Sequence, residues 1–321
     1  MEVDEFLEEW NNASPYVHVQ TSGSTGAPKP MLVEKRRMLN SARITCDFLK
    51  LKPGNTALLC MPLDFIAGKM MVVRSIERGL KLTSVVPSGH PLATVEEYID
   101  FAAMVPLQVY NSLQVDEERQ RLMRIGNLII GGGAVDDLLA EELRLFPNAV
   151  WSTYGMTETL SHIAMRRLSG VGVSEWYTPF DSVAVGLSEE ACLVIDAPEV
   201  CNERLVTNDI AELRQDDEAV RFRIIGRKDN TICSGGIKIQ PEVVERQLRT
   251  YLTAPFLISK RRDAKYGEIA VLITEGDVDE AKKTCENMLP RFYRPRGYVH
   301  VDKIPMTATG KPARKEAEKL C

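Results

Sequence analysis

The sequence predicts an α/β fold: a mainly parallel sheet domain with a small β subdomain, followed by a smaller, mobile α+β C-terminal domain. The first reason is the alternation of strand-like runs with helix-like segments up to about residue 155. From about residue 178 the segments become short, β-rich and separated by turns, which indicates the β subdomain. After the charged turn at Arg227 to Asp229, strands and helices alternate again. We therefore predict an N-terminal domain over 1–226 and a C-terminal domain over 227–321.

The spacing of apolar residues and of Gly and Pro predicts the individual elements of the first domain. Glycines 131 to 133 and Tyr154-Gly155 follow predicted strands, and ligands of parallel sheets bind at the carboxyl ends of strands. In chain order we predict a helix (1–12), a strand (16–20), a helix (34–50), a strand (56–61), a helix ending at Gly79, a strand (80–86), a helix (95–103), an extended segment (104–110), a helix (112–124), a strand (127–135), a helix (136–146) and a strand (148–155).

Length and composition exclude several classes of protein. The 321 residues suffice for about two domains, and 44% hydrophobic with 26% charged residues is ordinary for a globular protein. No apolar run is long enough for a membrane span, and the acidic start is unlike a signal peptide. The net charge of -5 with scattered Lys and Arg speaks against a nucleic-acid partner. Seven cysteines without a CxxC pair favour a reducing, cytoplasmic location, and the four histidines are too dispersed for a zinc site.

The stretch from Thr21 to Pro30, TSGSTGAPKP, has the composition of a phosphate-binding loop. Its glycines allow sharp turns that point N–H groups inward, while its hydroxyl groups and its lysine add donors and charge. The spacing is not the Walker pattern, because Ala27-Pro28 separates the second glycine from the lysine. A flexible surface turn is the alternative interpretation. The candidate phosphate ligands are Thr21, Ser22, Gly23, Ser24, Thr25, Gly26 and Lys29.

Three further stretches need explanation together with this loop: TYGMTET (153–159), GRKDNTICSGGIKIQPEVVE (226–245) and PMTATGK (305–311). Taken singly, each has an ordinary interpretation, since Glu158 could be a solvated glutamate at a helix start and Lys311 a solvated lysine in a charged tail. In order and content, however, the four stretches closely resemble those of the adenylate-forming superfamily, which includes acyl-CoA synthetases, luciferases and peptide-synthetase adenylation domains. The resemblance covers nearly the whole chain from residue 21 onward.

This resemblance implies an AMP-forming acid–thiol ligase that uses ATP, Mg²⁺ and CoA. A carboxylate attacks the α-phosphate of ATP to give an acyl-adenylate and pyrophosphate, and a thiol then displaces AMP. By motif, the loop at 21–29 holds the β- and γ-phosphates, Thr157 binds the α-phosphate and Glu158 ligates Mg²⁺, a role that suits a hard carboxylate oxygen. The adenine pocket is implied to include Gly131, Gly132, Gly133, Tyr154 and Gly155.

In the second half of the chain, Thr207-Asn208-Asp209 stands where the superfamily carries Thr-Gly-Asp, so the resemblance implies that Asp209 holds the ribose hydroxyls. Asn tolerates the left-handed backbone better than most residues, so the turn can survive this change. Arg227 is implied to reach the ribose or phosphate, and Asp229 to be the hinge of the C-terminal domain. An exposed charged turn remains the alternative for both. The remaining implied residues are Gly235, Gly236 and Lys238, which serve the thioester step, and Lys311, which neutralises charge during adenylation.

The sequence departs from the superfamily pattern in having only twenty residues before the phosphate loop, so it does not show which residues form the outer wall of the acyl pocket. Phe65 lies at a position that often carries a gating aromatic or histidine. The segment 153–166 resembles that of o-succinylbenzoate-CoA ligases of menaquinone synthesis, and places Ser161 and His162 in the acyl pocket; ordinary helix packing is the alternative for that pair.

A small carboxylate and CoA are thus the expected partners, with neither nucleic acid nor a membrane, and the sequence leaves the oligomeric state open, a homodimer included. Another aryl- or acyl-CoA ligase, a standalone adenylation domain that loads a carrier protein, and a catalytically inactive nucleotide-binding relative are the alternative functions.

Overall fold

The computed structural model of the chain describes residues 1–20, 30–216, 219–307 and 312–321. The chain forms two compact units. The first comprises Met1–Gly186, Ile195–Leu205 and Leu213–Phe222. The second comprises Leu187–Val194, Val206–Glu212 and Arg223–Cys321.

The first unit is built on a seven-stranded sheet of order β4-β3-β5-β6-β7-β8-β9. Strands β3 to β7 run parallel to their neighbours, whereas β8 and β9 are antiparallel additions at one edge. The predicted mainly parallel α/β fold is therefore confirmed. The strands are β3 (Thr56–Leu59), β4 (Lys81–Ser84), β5 (Phe101–Met104), β6 (Asn127–Ile130), β7 (Ala149–Gly155), β8 (His162–Arg167) and β9 (Thr178–Pro179).

Six α-helices accompany this sheet, together with a two-stranded antiparallel sheet of β1 (Tyr16–Gln20) and β2 (Pro30–Glu34). The helices are α1 (Val3–Asn11), α2 (Lys35–Phe48), α3 (Ile66–Arg78), α4 (Pro106–Leu113), α5 (Asp116–Met123) and α6 (Asp137–Leu143). Helix α3 ends where Gly79 adopts the left-handed conformation at φ 64°, which agrees with the predicted stop at that glycine. Residues 70 to 75 of α3 are all buried.

The predictions for residues 95–110 are wrong. The segment 95–103 was expected to be a helix, but it ends in strand β5, whose four residues are all buried in the centre of the sheet. The segment 104–110 was expected to be extended, but it opens helix α4. Pro106 is the first residue of α4, where its missing N–H costs no hydrogen bond and its fixed φ suits a helix.

The acidic N-terminal helix is held to helix α3 by one buried lysine. The ammonium group of Lys69, whose side chain is 2% exposed, lies 3.4 Å from a carboxylate oxygen of Glu9 and 5.0 Å from the ring centre of the buried Phe6. The other oxygen of Glu9 accepts the backbone N–H of His18 at 2.8 Å and lies 3.0 Å from Nδ1 of the same histidine. These hydrogen bonds to His18 and the charge of Lys69 outweigh burial and lower the pKa of Glu9. A charged Glu9 therefore fixes α1 against α3.

A four-stranded sheet of order β10-β11-β12-β13 forms the predicted β subdomain, and its residues are divided between the two units. The sequence predicts short segments separated by turns in this region, but residues 205–215 form one long strand, β12. The bounds are β10 (Ala184–Leu187), β11 (Cys192–Asp196), β12 (Leu205–Gln215) and β13 (Val220–Arg227).

The second unit contains a five-stranded sheet in which β15-β14-β17-β16 are antiparallel neighbours and β18 pairs parallel with β17. Helices α7 and α8 cover an apolar core of this sheet, which includes Leu248, Leu272 and Ala281. Helix α7 begins at Pro241, where the missing N–H of proline costs no hydrogen bond. The elements are β14 (Ile232–Ser234), β15 (Ile237–Ile239), α7 (Pro241–Leu248), β16 (Phe256–Asp263), β17 (Gly267–Thr274), α8 (Val278–Met288), β18 (Gly297–His300) and α9 (Arg314–Glu318).

In the part of the chain that the structure describes, no helix combines the length and the apolar character needed to cross a bilayer. The seven cysteines, all of them described, are free thiols.

Candidate active site

The glycine run and the Tyr154 motif lie side by side at the carboxyl edge of the parallel sheet. Strand β6 ends at Ile130, which pairs with Ser152 of β7, so the residues that follow both strands are neighbours. A side chain at Gly131 would place its Cβ 2.5 Å from Oγ1 of Thr153, so only glycine lets the two strand ends approach this closely. The prediction that both motifs lie at the carboxyl ends of strands is confirmed, with Gly131 directly after β6 and Tyr154 and Gly155 as the last residues of β7.

Tyr154 belongs to an aromatic cluster within the first unit. Its ring lies edge-on to Phe222 with 5.1 Å between ring centres, and 5.9 Å from the ring of Tyr177. Tyr177 and Phe222 stack on each other, and the hydroxyl group of Tyr177 lies 2.8 Å from Oγ of Ser152. The cluster fixes the ring of Tyr154 next to the strand ends. The adenine-stacking role of Tyr154 stays a prediction.

The turn after Tyr154 is tightly held and carries backbone strain. Oγ1 of Thr159 accepts the N–H of Met156 at 3.1 Å and lies 2.8 Å from the carbonyl oxygen of Ser161. Leu160 is buried at φ 65°, which is unusual for a residue with a side chain. Thr157 and Glu158 lie on the short 3₁₀ helix Thr157–Thr159, where Thr157 is buried and Glu158 is exposed. The strained turn therefore presents the Glu158 carboxylate to solvent.

Directly after this turn, Ser161 and His162 join a buried polar cluster that helix α3 completes with Arg74. Nη2 of Arg74 donates to Oγ of Ser161 at 2.6 Å, and this oxygen lies 3.2 Å from Nδ1 of His162. On the other side of the ring, Nε2 of His162 lies 3.1 Å from Oγ1 of Thr45. The ring of Phe180 packs 5.6 Å from that of His162. Of the three residues predicted for the acyl pocket, Phe65, Ser161 and His162, the last two thus share one polar cluster with Arg74.

Arg74 is a buried cation without a carboxylate partner among the described residues. Its side chain is 2% exposed, Nε makes no hydrogen bond, and Nη1 has only the sulfur of Met71 at 3.8 Å. Burial lowers the pKa of Arg74 to about 10, which still leaves the guanidinium charged at neutral pH. Burial, together with the charge of Arg74, holds the pKa of His162 well below its usual value, so the imidazole is neutral.

In the second unit, Arg227 lies between the predicted ribose ligand and the predicted hinge residue. Nη1 of Arg227 is 3.1 Å from a carboxylate oxygen of Asp209, and Nη2 is 2.9 Å from one of Asp229. Nδ2 of Asn208 also reaches Asp229, at 3.4 Å. Thr207 caps the same segment, since its Oγ1 accepts the N–H of Asp209 at 3.0 Å. The structure brings these three predicted charged residues together, and their roles stay predictions.

Gly235 and Gly236 form the two-residue turn between β14 and β15. Ser234 pairs with Ile237, and both glycines have positive φ, at 58° and 84°. A two-residue hairpin turn of this kind requires positive φ at both central residues, which explains the glycine pair without reference to a ligand. Lys238 is exposed on β15. The role of this turn in the thioester step stays a prediction.

The predicted phosphate ligands at 21–26 and Lys29 lie outside the described residues, and so does Lys311. The flanking strands β1 and β2 pair antiparallel, from Tyr16 with Glu34 to Gln20 with Pro30. Gln20 also forms a parallel bridge with Phe65, the residue before helix α3. Gln20, the last described residue before the predicted phosphate loop, therefore lies next to the predicted gating residue.

Residues 4–201, well over half of the chain, match the family of AMP-binding enzymes. The chain belongs to this family. It is similar to the 2-succinylbenzoate–CoA ligase of Haemophilus influenzae, with 25% identity over 320 residues that cover 92% of this chain and 69% of the relative. An acyl-CoA synthetase (AMP-forming)/AMP-acid ligase II-like protein from Dyadobacter fermentans is 31% identical, with a TM-score of 0.66 over 99% of this chain and 93% of that one.

A solved structure of O-succinylbenzoate coenzyme A synthetase from Bacillus subtilis, in complex with ATP and magnesium ion, has the same fold with a TM-score of 0.75. It is 22% identical and is matched over 93% of this chain and 69% of its own length. These findings confirm the predicted superfamily and the predicted enzyme class, an ATP-dependent, AMP-forming acid–CoA ligase that acts through an adenylate.

Sequence reasoning missed Arg74, the residue that joins Ser161 and His162 into a cluster. The available signal was Arg74 itself, a single arginine that follows the apolar run Met70 to Val73 and precedes Ile76. Arginine is almost never fully buried unless it is paired, so a charge inside an apolar helical run marks a site to inspect. No spacing motif includes this residue, which is why pattern reasoning passed over it.

Proposed function

We propose that this enzyme joins 2-succinylbenzoate to CoA and that Arg74 binds the substrate carboxylate that is not activated. The observation that carries the proposal is the buried Arg74 guanidinium, which has no carboxylate partner among the described residues and donates a hydrogen bond to Ser161, two residues after the 153–159 motif. Because a buried charge is costly unless it is paired, a substrate anion fits this position. The substrate named for the Haemophilus influenzae relative carries two carboxylates, one to be adenylated and one for Arg74.

The remaining residues of the first unit support a role in positioning the reactants. Glu158 fits a Mg²⁺ ligand, since it is an exposed carboxylate at the start of a 3₁₀ helix, and Mg²⁺ is usually held by one or two carboxylates together with phosphates. Bound Mg²⁺ would neutralise phosphate charge. The backbone around Thr157 and the strand ends at Gly131 would hold the nucleotide, and Arg74 would orient the acyl group.

The C-terminal domain predicted for 227–321 is proposed to swing at Asp229 between the two half-reactions, with Gly235, Gly236 and Lys238 serving the thioester step. Lys228 to Asn230 form a single 3₁₀ turn after β13, a short element able to absorb a change in φ and ψ. Proline at Asp229 should fix φ and slow one half-reaction more than the other. Equal losses in adenylation and in thioester formation would speak against a hinge here.

A cytoplasmic location is proposed on the seven free thiols, which suit a reducing compartment.

The substrate assignment is tested by ATP–pyrophosphate exchange with 2-succinylbenzoate and with the monoamide that retains the reacting carboxylate. We expect the dicarboxylate to exceed this monoamide by about 10²-fold or more in kcat/KM, because a buried cation left without its anion rejects the neutral analogue. In Arg74→Met, the monoamide that retains the reacting carboxylate should match the dicarboxylate. Equal exchange with the dicarboxylate and this monoamide in the wild type would refute the assignment. Replacing CoA by a carrier-protein thiol in the second step tests the alternative acceptor.

A further inference from the structure

A chain of side-chain hydrogen bonds connects helix α2 to Arg74, and the supply of protons fixes the direction of each bond. At its start, Oγ1 of Thr45 donates to the carbonyl oxygen of Ser41, at 3.0 Å. A threonine hydroxyl has one proton, so Thr45 can only accept from Nε2 of His162, at 3.1 Å. His162 must therefore carry its ring proton on Nε2.

The other ring nitrogen then sets the orientation of Ser161. Because the imidazole is neutral, Nδ1 of His162 is an acceptor, and the Ser161 hydroxyl group at 3.2 Å donates to it. With its only proton used, Oγ of Ser161 turns a lone pair towards Arg74 and accepts from Nη2 at 2.6 Å. Ser161 has no proton left for a ligand, whereas Arg74 keeps the donors on Nε and Nη1.

We propose that Thr45 and His162 are positioning residues, which hold Ser161 as an acceptor and thereby fix the Arg74 guanidinium in the orientation that takes the second carboxylate of the substrate. The role in substrate binding rests on the proposed function above. In the opposite tautomer, Nδ1–H of His162 would point at Oγ of Ser161, which already faces an N–H of Arg74, and the lone pair of Nε2 would face Oγ1 of Thr45. Ordinary packing of a histidine against Phe180 would impose neither tautomer.

The tautomer is measured on the full chain with ¹⁵N-labelled histidine at neutral pH. The chain has four histidines, and His162→Gln assigns the signal of interest. We expect Nε2 of His162 to resonate as a protonated ring nitrogen and Nδ1 as an unprotonated one. Protonation at Nδ1, or at both nitrogens, overturns the proposal.

The positioning role is measured with Thr45→Val, which removes the acceptor at nearly constant volume, and with Thr45→Ser as the matched control that retains it. In Thr45→Val we expect His162 to lose its single tautomer, the Nε–H signal of Arg74 to shift, and KM for 2-succinylbenzoate to rise about tenfold at unchanged kcat, the effect of one lost hydrogen bond. Thr45→Ser should restore all three. If the tautomer of His162 changes in Thr45→Val while the Arg74 signal or the KM stays the same, the positioning role of Thr45 and His162 is refuted.

Failure of the proposed function has a different signature. In that case the wild type and Arg74→Met each treat the dicarboxylate and the monoamide that retains the reacting carboxylate alike. The tautomer of His162 and the Arg74 Nε–H signal are read without substrate, so they decide the hydrogen-bond chain independently.

Discussion

Replacing Arg74 by methionine is expected to stabilise the fold and to weaken substrate binding at the same time. Methionine has a similar length and an apolar, flexible side chain, so it can fill the space among the buried residues of helix α3. Arg78, one turn further along the same helix, provides the contrast. Its guanidinium lies 2.5 Å from Asp47 and 3.3 Å from Glu77, and the hydrogen bond that Arg78 donates to Asp47 raises the pKa of Arg78.

The size of the effect follows from the burial of the Arg74 charge. Burial lowers the pKa of Arg74 to about 10. A lowering of that size means that the folded state disfavours the charged form by about 3 kcal/mol relative to the unfolded state. Removing the charge would stabilise the folded state by that amount, but losing the hydrogen bond to Ser161 costs about 1–2 kcal/mol. Arg74→Met should therefore raise the free energy of unfolding by about 1–2 kcal/mol. The loss of the substrate's partner should raise KM about 10²-fold.

Urea unfolding without substrate, followed by exchange kinetics, measures both effects. Arg74→Lys keeps the charge and should give no gain in stability, and Arg78→Met breaks existing ion pairs and should destabilise by up to about 1 kcal/mol. If Arg74→Met lowers the free energy of unfolding as Arg78→Met does, the Arg74 charge is compensated in the folded protein and the reasoning is wrong.

Three further predictions concern other parts of the chain. Glu158→Gln should keep the unfolding midpoint but weaken adenylation and its dependence on magnesium concentration, since the amide keeps the shape and loses the charge; an unchanged magnesium titration would contradict the role. Lys311→Ala should lower ATP–pyrophosphate exchange about 10²- to 10³-fold, as removal of one preorganised donor does, while thioester formation from synthetic acyl-adenylate stays near the wild-type rate; equal losses would indicate a structural lysine. Arg314→Met should cost about 3–5 kcal/mol of stability, because it leaves the buried Glu245 carboxylate without the guanidinium that contacts it at 2.8 and 3.0 Å. Burial already raises the pKa of Glu245, so this carboxyl favours folding when it is protonated, and the loss of stability should be larger at pH 8 than at pH 5. The control is Glu245→Gln/Arg314→Met, in which the urea midpoint should recover. A loss of stability that does not depend on pH would refute the explanation.

The sequence was sufficient where local pattern and fold agree, and insufficient where long-range packing decides. Strand β6 with its glycines and the start of α7 at Pro241 follow from apolar runs and turn residues, and the structure has both. Residues 101 to 104 are a short apolar run that periodicity alone cannot assign, and burial between β3 and β6 makes it a strand. Pro106, the first residue of the next helix, was the local signal that the extended assignment overlooked.

The candidate site divides along the same line. Tyr154, Thr157 and Glu158 are contiguous in sequence, so a motif finds them. Arg74 lies 87 residues from the serine that it contacts, and only the packing of helix α3 under the 156–161 turn brings the two together. Nothing local to Arg74 indicates that its charge is buried without a carboxylate.

The central claim, that 2-succinylbenzoate is activated as an acyl-adenylate, is tested most directly by oxygen transfer. The substrate is labelled with ¹⁸O in both carboxylates and converted with ATP, Mg²⁺ and CoA, and the products are analysed by mass spectrometry. Attack of a carboxylate oxygen on the α-phosphate, followed by thiol displacement, predicts one ¹⁸O atom in the phosphate of AMP for each thioester formed. Label in inorganic phosphate with formation of ADP, or AMP without label, would contradict the account.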